Sequence, residues 1–327
     1  MAERPLVSVI ALGGTISMTT QGAGGLSPSL SGADLVATVP GLSAVARVSA
    51  CSPLQKPGAS LTLAEVHGVA RMAARELDAG AQGVVVVQGT DTIEETAFLL
   101  DRLVARDRPL VVTGAMRGAE APGADGPANM LAAVTVAASG ARGIGAVVVL
   151  NDTVHAARHV AKRHSALPSA FGSDPFGPLG HVIEGRFHQA LTLPPLPGFD
   201  LPEGAEFPPV ALLGVGLGED GRLIPEIAAL GFKGCVIAAT GAGHVPAALV
   251  PALEGLARIM PVVLASRVAG GPVFRETYGF PGSERDLLAR GLIAGGAIGP
   301  WKARHLLQLA LAAGMGRDAM GALFDQF

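Results

Sequence analysis

A short polar run ends an apolar one near residue 90. Gly83-Val84-Val85-Val86-Val87 leads at once into Gln88-Gly89-Thr90-Asp91-Thr92. A second run of the same kind opens the chain, where Leu6-Val7-Ser8-Val9-Ile10-Ala11-Leu12 leads into Gly13-Gly14-Thr15-Ile16-Ser17. Hydroxyls and an acid at such positions suit hydroxyl chemistry on a small polar substrate. A threonine hydroxyl is a poor nucleophile at its own pKa, so it needs a base and a prepared oxyanion site. A lysine beside an acid and a second threonine can move the proton, provided it gives up or shares its own. Lys162 lies in a basic stretch running from Arg158 to His164. Alone, Gly13-Gly14-Thr15 reads as an ordinary strand-to-loop turn and Lys162 as a surface residue. Taken as a set, these residue types fit amide hydrolysis.

The elements that must position them are legible as alternation. Val-rich strands are expected at 6–12, 45–50, 83–88, 109–113 and 145–150, with amphipathic helices at 31–39, 62–79, 92–106 and 126–139. Thr62-Leu63-Ala64-Glu65 and Thr92-Ile93-Glu94-Glu95 both have capping-box spacing. The alternation predicts an α/β fold with a mainly parallel sheet covered by helices, and ligands at the carboxyl ends of its strands. Residues 151–190 break the rhythm. A Pro-rich linker is expected at 193–209, dividing an N-terminal α/β domain at 1–192 from a smaller C-terminal α/β domain at 210–327. In the latter, strands are expected at 210–215, 234–239 and 261–265, and helices near 225–230, 246–258 and 283–290. A last helix near 300–313 would pack through Trp301, His305, Leu306, Leu309 and Ala312.

Composition limits the partners. Hydrophobic residues make up 49% of the chain and charged residues 16%, with a net charge of −3. That balance gives no electrostatic reason to expect nucleic acid or an anionic membrane. The first apolar run is too short for a signal peptide or a membrane span, so a soluble cytoplasmic protein is expected. Cys51 and Cys235 lie far apart and read as two buried small apolar residues, in different domains, rather than a disulfide. His155 and His159 are four apart but lack a third ligand, so no metal is expected. Gly13-Gly14 does not complete a dinucleotide fingerprint.

The chain resembles the bacterial-type L-asparaginases, the asparaginase/glutaminase amidohydrolases. Gly13-Gly14-Thr15-Ile16 is similar to the family's first signature, and Gly89-Thr90-Asp91-Thr92-Ile93-Glu94-Glu95-Thr96-Ala97 to its second. Val112-Thr113-Gly114-Ala115-Met116-Arg117, Ala124-Asp125-Gly126-Pro127 and Asn151-Asp152-Thr153-Val154 continue the resemblance, and the family's spacing puts its catalytic lysine on Lys162. Gly177-Pro178-Leu179-Gly180, Ser266-Arg267-Val268 and Lys302-Ala303-Arg304 carry it to the end. The resemblance implies that Thr15 forms a β-aspartyl ester and that Thr90, Asp91 and Lys162 form a second hydroxyl–acid–lysine set. Asp91 would also pair the substrate ammonium, and Ala115 would contribute backbone contacts near the leaving amide. Gly14, Gly58, Ala59, Ser60, Gly89, Thr90, Asp91 and Ala115 are the implied substrate contacts. No cofactor is implied, and the implied assembly is a homo-oligomer, a dimer of dimers, whose neighbouring subunit closes the site.

The chain departs from the family in its substrate clamp. The family's tyrosine, in the loop after the first signature, has no counterpart in Ser17 to Ser27; the chain's one tyrosine is Tyr278. Its glutamate partner lacks a match, Glu276 being out of register. A partner-subunit asparagine aligns with Ala242, and a substrate-binding serine with Gly58, leaving Ser60 as a displaced substitute. The glycines of the loop, Gly22, Gly24 and Gly25 among them, suit a lid. L-asparagine is the expected substrate. The alternatives are the same chemistry on glutamine, a D-isomer or another small amide; a non-catalytic amino-acid binder; and an ammonia-supplying subunit of a tRNA-dependent amidotransferase.

Overall fold

The computed structural model describes residues 3–20, 26–28, 31–104 and 106–327. Two compact units divide between Phe199 and Asp200. The first carries β1 (Leu6–Ala11), β2 (Met18–Thr20), β3 (Leu26–Pro28), β4 (Arg47–Cys51), β5 (Gly83–Val87), β6 (Leu110–Thr113) and β7 (Ala146–Leu150). Shorter strands follow: β8 (Thr153–Ala156), β9 (Ala161–Lys162), β10 (Phe171–Gly172), β11 (Gly180–Ile183) and β12 (Arg186–Gln189). Its helices are α1 (Gly32–Ala37), α2 (Leu42–Val45), α3 (Leu63–Asp78), α4 (Ile93–Leu103) and α5 (Gly126–Ala138).

Among the described residues, the main sheet runs in the order β12-β11-β8-β7-β6-β5-β1-β4. The strands from β4 to β7 are parallel, and β8, β11 and β12 continue antiparallel. β5, β6 and β7 are buried at every residue, as apolar runs covered on both faces should be. The chain leaves β1 for β4 on one side and then crosses to β5 on the other. The strand order therefore reverses between β1 and β5, which opens a crevice outside their carboxyl ends.

Helix boundaries follow local chemistry. Thr62 and Glu65 cap α3 reciprocally, as their spacing predicts. The corresponding box at Thr92 does not form. Thr90–Thr92 make a 3-10 turn instead, and the Thr92 hydroxyl donates to the Gly58 carbonyl at 3.0 Å, which takes it away from the helix end. α4 still buries Ile93, Ala97 and Leu100, with Val104 just beyond its end. Residues 151–190 are not structureless. They fold into the β9–β10 and β11–β12 hairpins, whose strands are too short to show a period in sequence.

The second unit holds β13 (Val210–Gly214), β14 (Gly234–Ala239), β15 (Val262–Ser266) and β16 (Ile293–Ala294), all parallel and in chain order. α6 (Glu226–Ala229), α7 (Val250–Ile259), α8 (Glu284–Ala289), α9 (Gly299–Ala312) and α10 (Arg317–Phe324) accompany them. α10 and β16 are additions to the sequence expectation. His305, Leu306 and Leu309 of α9 are buried, but Trp301 is 53% exposed, ahead of the buried stripe that starts at Lys302 and Ala303. Cys235 is buried, and burial pushes its thiol up to about 12. Cys51 is exposed, against expectation, because it ends the sheet's edge strand β4. Among the described residues, no helix is long and apolar enough to cross a membrane.

Candidate active site

Backbone packing brings the two sequence signatures together. Gly14 has φ 92°, and a Cβ there would fall 2.1 Å from the Gly89 nitrogen. Only glycine permits both that conformation and that approach. Gly58, in the 3-10 turn Gly58–Ser60, packs against the same residue: a Cβ on it would sit 2.8 Å from the Gly89 carbonyl oxygen. Three loops, after β1, β4 and β5, thus touch through glycine backbone at the reversal of strand order. Thr15 follows Gly14 directly, opens the 3-10 turn Thr15–Ser17 and is half-buried.

Lys162 arrives from β9. Its Nζ donates to Thr90 Oγ1 at 2.9 Å and to Asp91 Oδ1 at 2.8 Å. The lysine side chain is 15% exposed, so it is not the solvated surface residue that its basic neighbourhood suggests, whereas the Asp91 side chain is 70% exposed. Thr90 is buried. The Lys162 main-chain N–H donates to Glu94 Oε2 at 2.5 Å, from the first turn of α4. Gln88, wholly buried, donates from Nε2 to the Gly89 carbonyl and to Thr92 Oγ1, both at 3.3 Å.

The loop after β6 supplies a fixed backbone edge. Ala115 is buried, and Asp125 accepts from the amides of Met116 and Arg117 at 3.0 and 2.9 Å. Asn129 donates to the Gly114 carbonyl at 3.0 Å and accepts from the Asn151 amide at 2.9 Å. Ala59 and Ser60 are exposed on the turn whose Gly58 packs on Gly89. Around the lid expected at Ser17 to Ser27, β2 and β3 pair antiparallel, Met18 opposite Pro28. Gly22, Gly24 and Gly25, on which that expectation rests, lie outside the described residues.

His155 and His159, four apart in sequence, do not share a helix. His155 sits on β8, where its Nδ1 meets Ser173 Oγ at 2.8 Å, while His159 stacks on Phe176 with ring centroids 4.0 Å apart. Burial pushes the His155 imidazole down to about 4, helped by the charges of His181 and Arg163. Among the described residues, no three His, Cys, Asp or Glu side chains group as a metal site. In the second unit the notable acid is Glu284, not Glu276. Glu284 Oε1 accepts from the amides of Thr277 and Tyr278, and Oε2 meets His244 Nε2 at 3.2 Å. Burial pushes its carboxyl up, but these donors together with its own amide hold it below its ordinary value.

Sequence reasoning missed Glu94, Gln88, Asn129 and Glu284 as partners. Glu94 was legible as an acid four residues after Thr90, but the capping spacing from Thr92 points to Glu95 and gives Glu94 no role. Asn129 bonds backbone 15 and 22 residues away, while Gln88 and Glu284 bond groups in irregular turns nearby, and no periodic spacing reports either. Chemically, a buried hydroxyl bonded to an ammonium that is paired with a carboxylate is a proton-relay geometry. The exposed Asp91 keeps an oxygen free of Lys162 to meet a cationic ligand.

Residues 6–193 match the family described as asparaginase, N-terminal, and residues 209–324 the glutaminase/asparaginase C-terminal domain. A probable L-asparaginase of Deinococcus radiodurans is 34% identical over 340 residues, covering 99% of this chain and 98% of its own. A probable periplasmic L-asparaginase of Haemophilus influenzae is 31% identical over 339 residues, covering 100% of this chain and 94% of its own. The crystal structure of a probable cytoplasmic L-asparaginase from Campylobacter jejuni superposes with TM-score 0.88 at 28% identity, covering 99% of this chain and 100% of that one. With both halves matched and full-length relatives above 30% identity, the chain belongs to the asparaginase family.

Proposed function

We propose that this protein hydrolyses L-asparagine to L-aspartate and ammonia through an ester on Thr15. The observation that carries the reading is Lys162 Nζ bonded to both Thr90 Oγ1 and Asp91 Oδ1 at the reversal of strand order. In the proposed reaction Thr15 Oγ attacks the side-chain amide carbon and gives up its proton as the new C–O bond forms. The C–N bond then breaks, with a proton delivered to the nitrogen, so that ammonia leaves and a β-aspartyl ester remains. Water attacks that ester, its proton returns to the Thr15 oxygen, and aspartate departs. Thr90 and Lys162 manage protons in these steps. Asp91 holds the substrate ammonium, and the backbone around Gly14, Gly58, Ala59, Ser60, Gly89 and Ala115 forms the pocket wall.

Ammonia release from a panel of L- and D-asparagine, glutamine and small peptidyl amides tests the substrate. Intact-mass detection of an aspartyl adduct that Thr15→Ala abolishes tests the intermediate. The reading fails if no amide releases ammonia, or if the adduct persists without the Thr15 hydroxyl. A second reading is glutamine as a substrate, which the family description of the C-terminal half favours; the same panel decides it. The homo-oligomeric assembly implied by the resemblance belongs to the same proposal, and molar mass by light scattering checks it.

A further inference from the structure

We propose that Glu94 is a positioning residue that sets the reach of Lys162 by holding its main chain. The inference rests on the catalytic reading of Lys162 given above. The segment from Thr90 to Glu94 grips the lysine at both ends: Thr90 and Asp91 hold the ammonium, and the Glu94 carboxylate holds the backbone N–H. Among the described residues β9 is two residues long, Ala161–Lys162, and pairs with Phe171–Gly172 alone, so β10 does little to fix it. Successive N–H groups of a strand point to opposite edges. Arg163 donates its N–H to Ala170 across the hairpin, and Lys162 therefore turns its own outward, onto Glu94.

Glu94 is well placed for this. It lies in the first turn of α4, where the helix end favours a carboxylate. The 3-10 turn that carries Thr90 and Asp91 runs straight into α4. One rigid element thus fixes both the acceptors of the ammonium and the origin of the lysine stem. A lysine stem has many rotamers, and holding its base limits where the nitrogen can go.

The test is a set of variants read by kcat and KM for L-asparagine. Glu94→Gln keeps an oxygen that can accept from the Lys162 amide, and kcat should stay close to wild type. Glu94→Ala removes the acceptor, and kcat should fall by about 10²-fold, the scale of a misplaced catalytic group. KM should change little, because Asp91 is untouched. In a Lys162→Met background, Glu94→Ala should add almost nothing, since its effect runs through the lysine. A wild-type kcat in folded Glu94→Ala, equal losses in the Ala and Gln variants, or additive losses with Lys162→Met would each overturn the proposal. If Glu94→Ala does not fold, the Gln variant decides: a kcat as low as that of Lys162→Met overturns it, and a retained kcat supports it. Should Lys162→Met itself leave kcat unchanged, the proposed function fails as well, which separates the two.

Discussion

Asp91, in the 3-10 turn ahead of α4, and Glu284, the first residue of α8, are both acids at the entry to a helix, and they are placed in opposite ways. The Asp91 side chain is 70% exposed and meets the Lys162 ammonium with one oxygen. Glu284 is completely buried and takes donors on both oxygens, from Thr277, Tyr278 and His244. The sheets differ in the same sense. The first reverses its strand order between β1 and β5, while β13 to β16 follow one another without reversal. A saturated buried acid is a structural tie, and removing it leaves donors unmet. An acid with an open oxygen beside a crevice can take a ligand. On the proposed function, chemistry belongs to the first sheet, and the second acid orders the segment around Thr277 and Tyr278.

The strongest way to break that comparison is to remove the hydroxyls. Thr15→Ala and Thr90→Ala are each expected to cost about 10³-fold or more in kcat while the thermal transition stays cooperative, since members of a cooperating set fail together. Retained turnover in either variant would move the chemistry elsewhere. Lys162→Met should follow with a large loss of kcat. Asp91→Asn should lower kcat and raise KM together, because it weakens the hold on the lysine and on a substrate ammonium. Steady-state kinetics with L-asparagine separates these patterns.

A pH experiment sharpens the comparison on the lysine hairpin. Folded His155 holds its proton only below about 4, against 6.5 for the ordinary group. Between those values the unfolded chain binds the extra proton, so stability rises with pH there. Chemical denaturation should show a His155 contribution that is lost as pH drops from about 6.5 to about 4, by an amount on the order of 3 kcal/mol, with carboxylates such as Glu284 taking over the loss at lower pH. His155→Gln should flatten that part of the curve; a profile identical to wild type would show that His155 is not its source.

The smaller effects concern the second unit. Glu284→Gln should lower stability by about 1–3 kcal/mol, because the amide oxygen can still accept from Thr277 and Tyr278 but the amide nitrogen cannot accept from His244. Rate per folded molecule should hold. Tyr278→Phe should change neither, since the ring packs edge-on to His244 and parallel to Phe274, and phenylalanine keeps both contacts. A rate loss in either variant would bring the second unit into the chemistry and end the distinction drawn above.

Much of the fold was legible because covered parallel strands such as Gly83–Val87 leave unbroken Val runs and amphipathic helices leave a period. Thr90 and Asp91 could be placed at a strand end for the same reason. Lys162 could not: its strand is two residues long, and only its family spacing marked it. Thr92 misled, because a capping spacing says nothing of a carbonyl from Gly58 competing for the same hydroxyl. Trp301 misled because a helical face read from period alone does not say where the covering sheet ends.

The strap made by Arg102 has a consequence for dividing this molecule. Buried Arg102 pairs with Asp101, whose other oxygen accepts from the Ala146 amide, and its Nη1 donates to the Pro197 carbonyl. Its own carbonyl accepts from the Phe199 amide, and Arg158 reaches Pro194 nearby. A first half expressed alone and cut at 192 would lose Pro197 and strand part of a buried cation, so an autonomous piece must run through Phe199. The proline-rich stretch expected to be a linker is therefore, up to Phe199, part of the first unit's packing rather than slack chain.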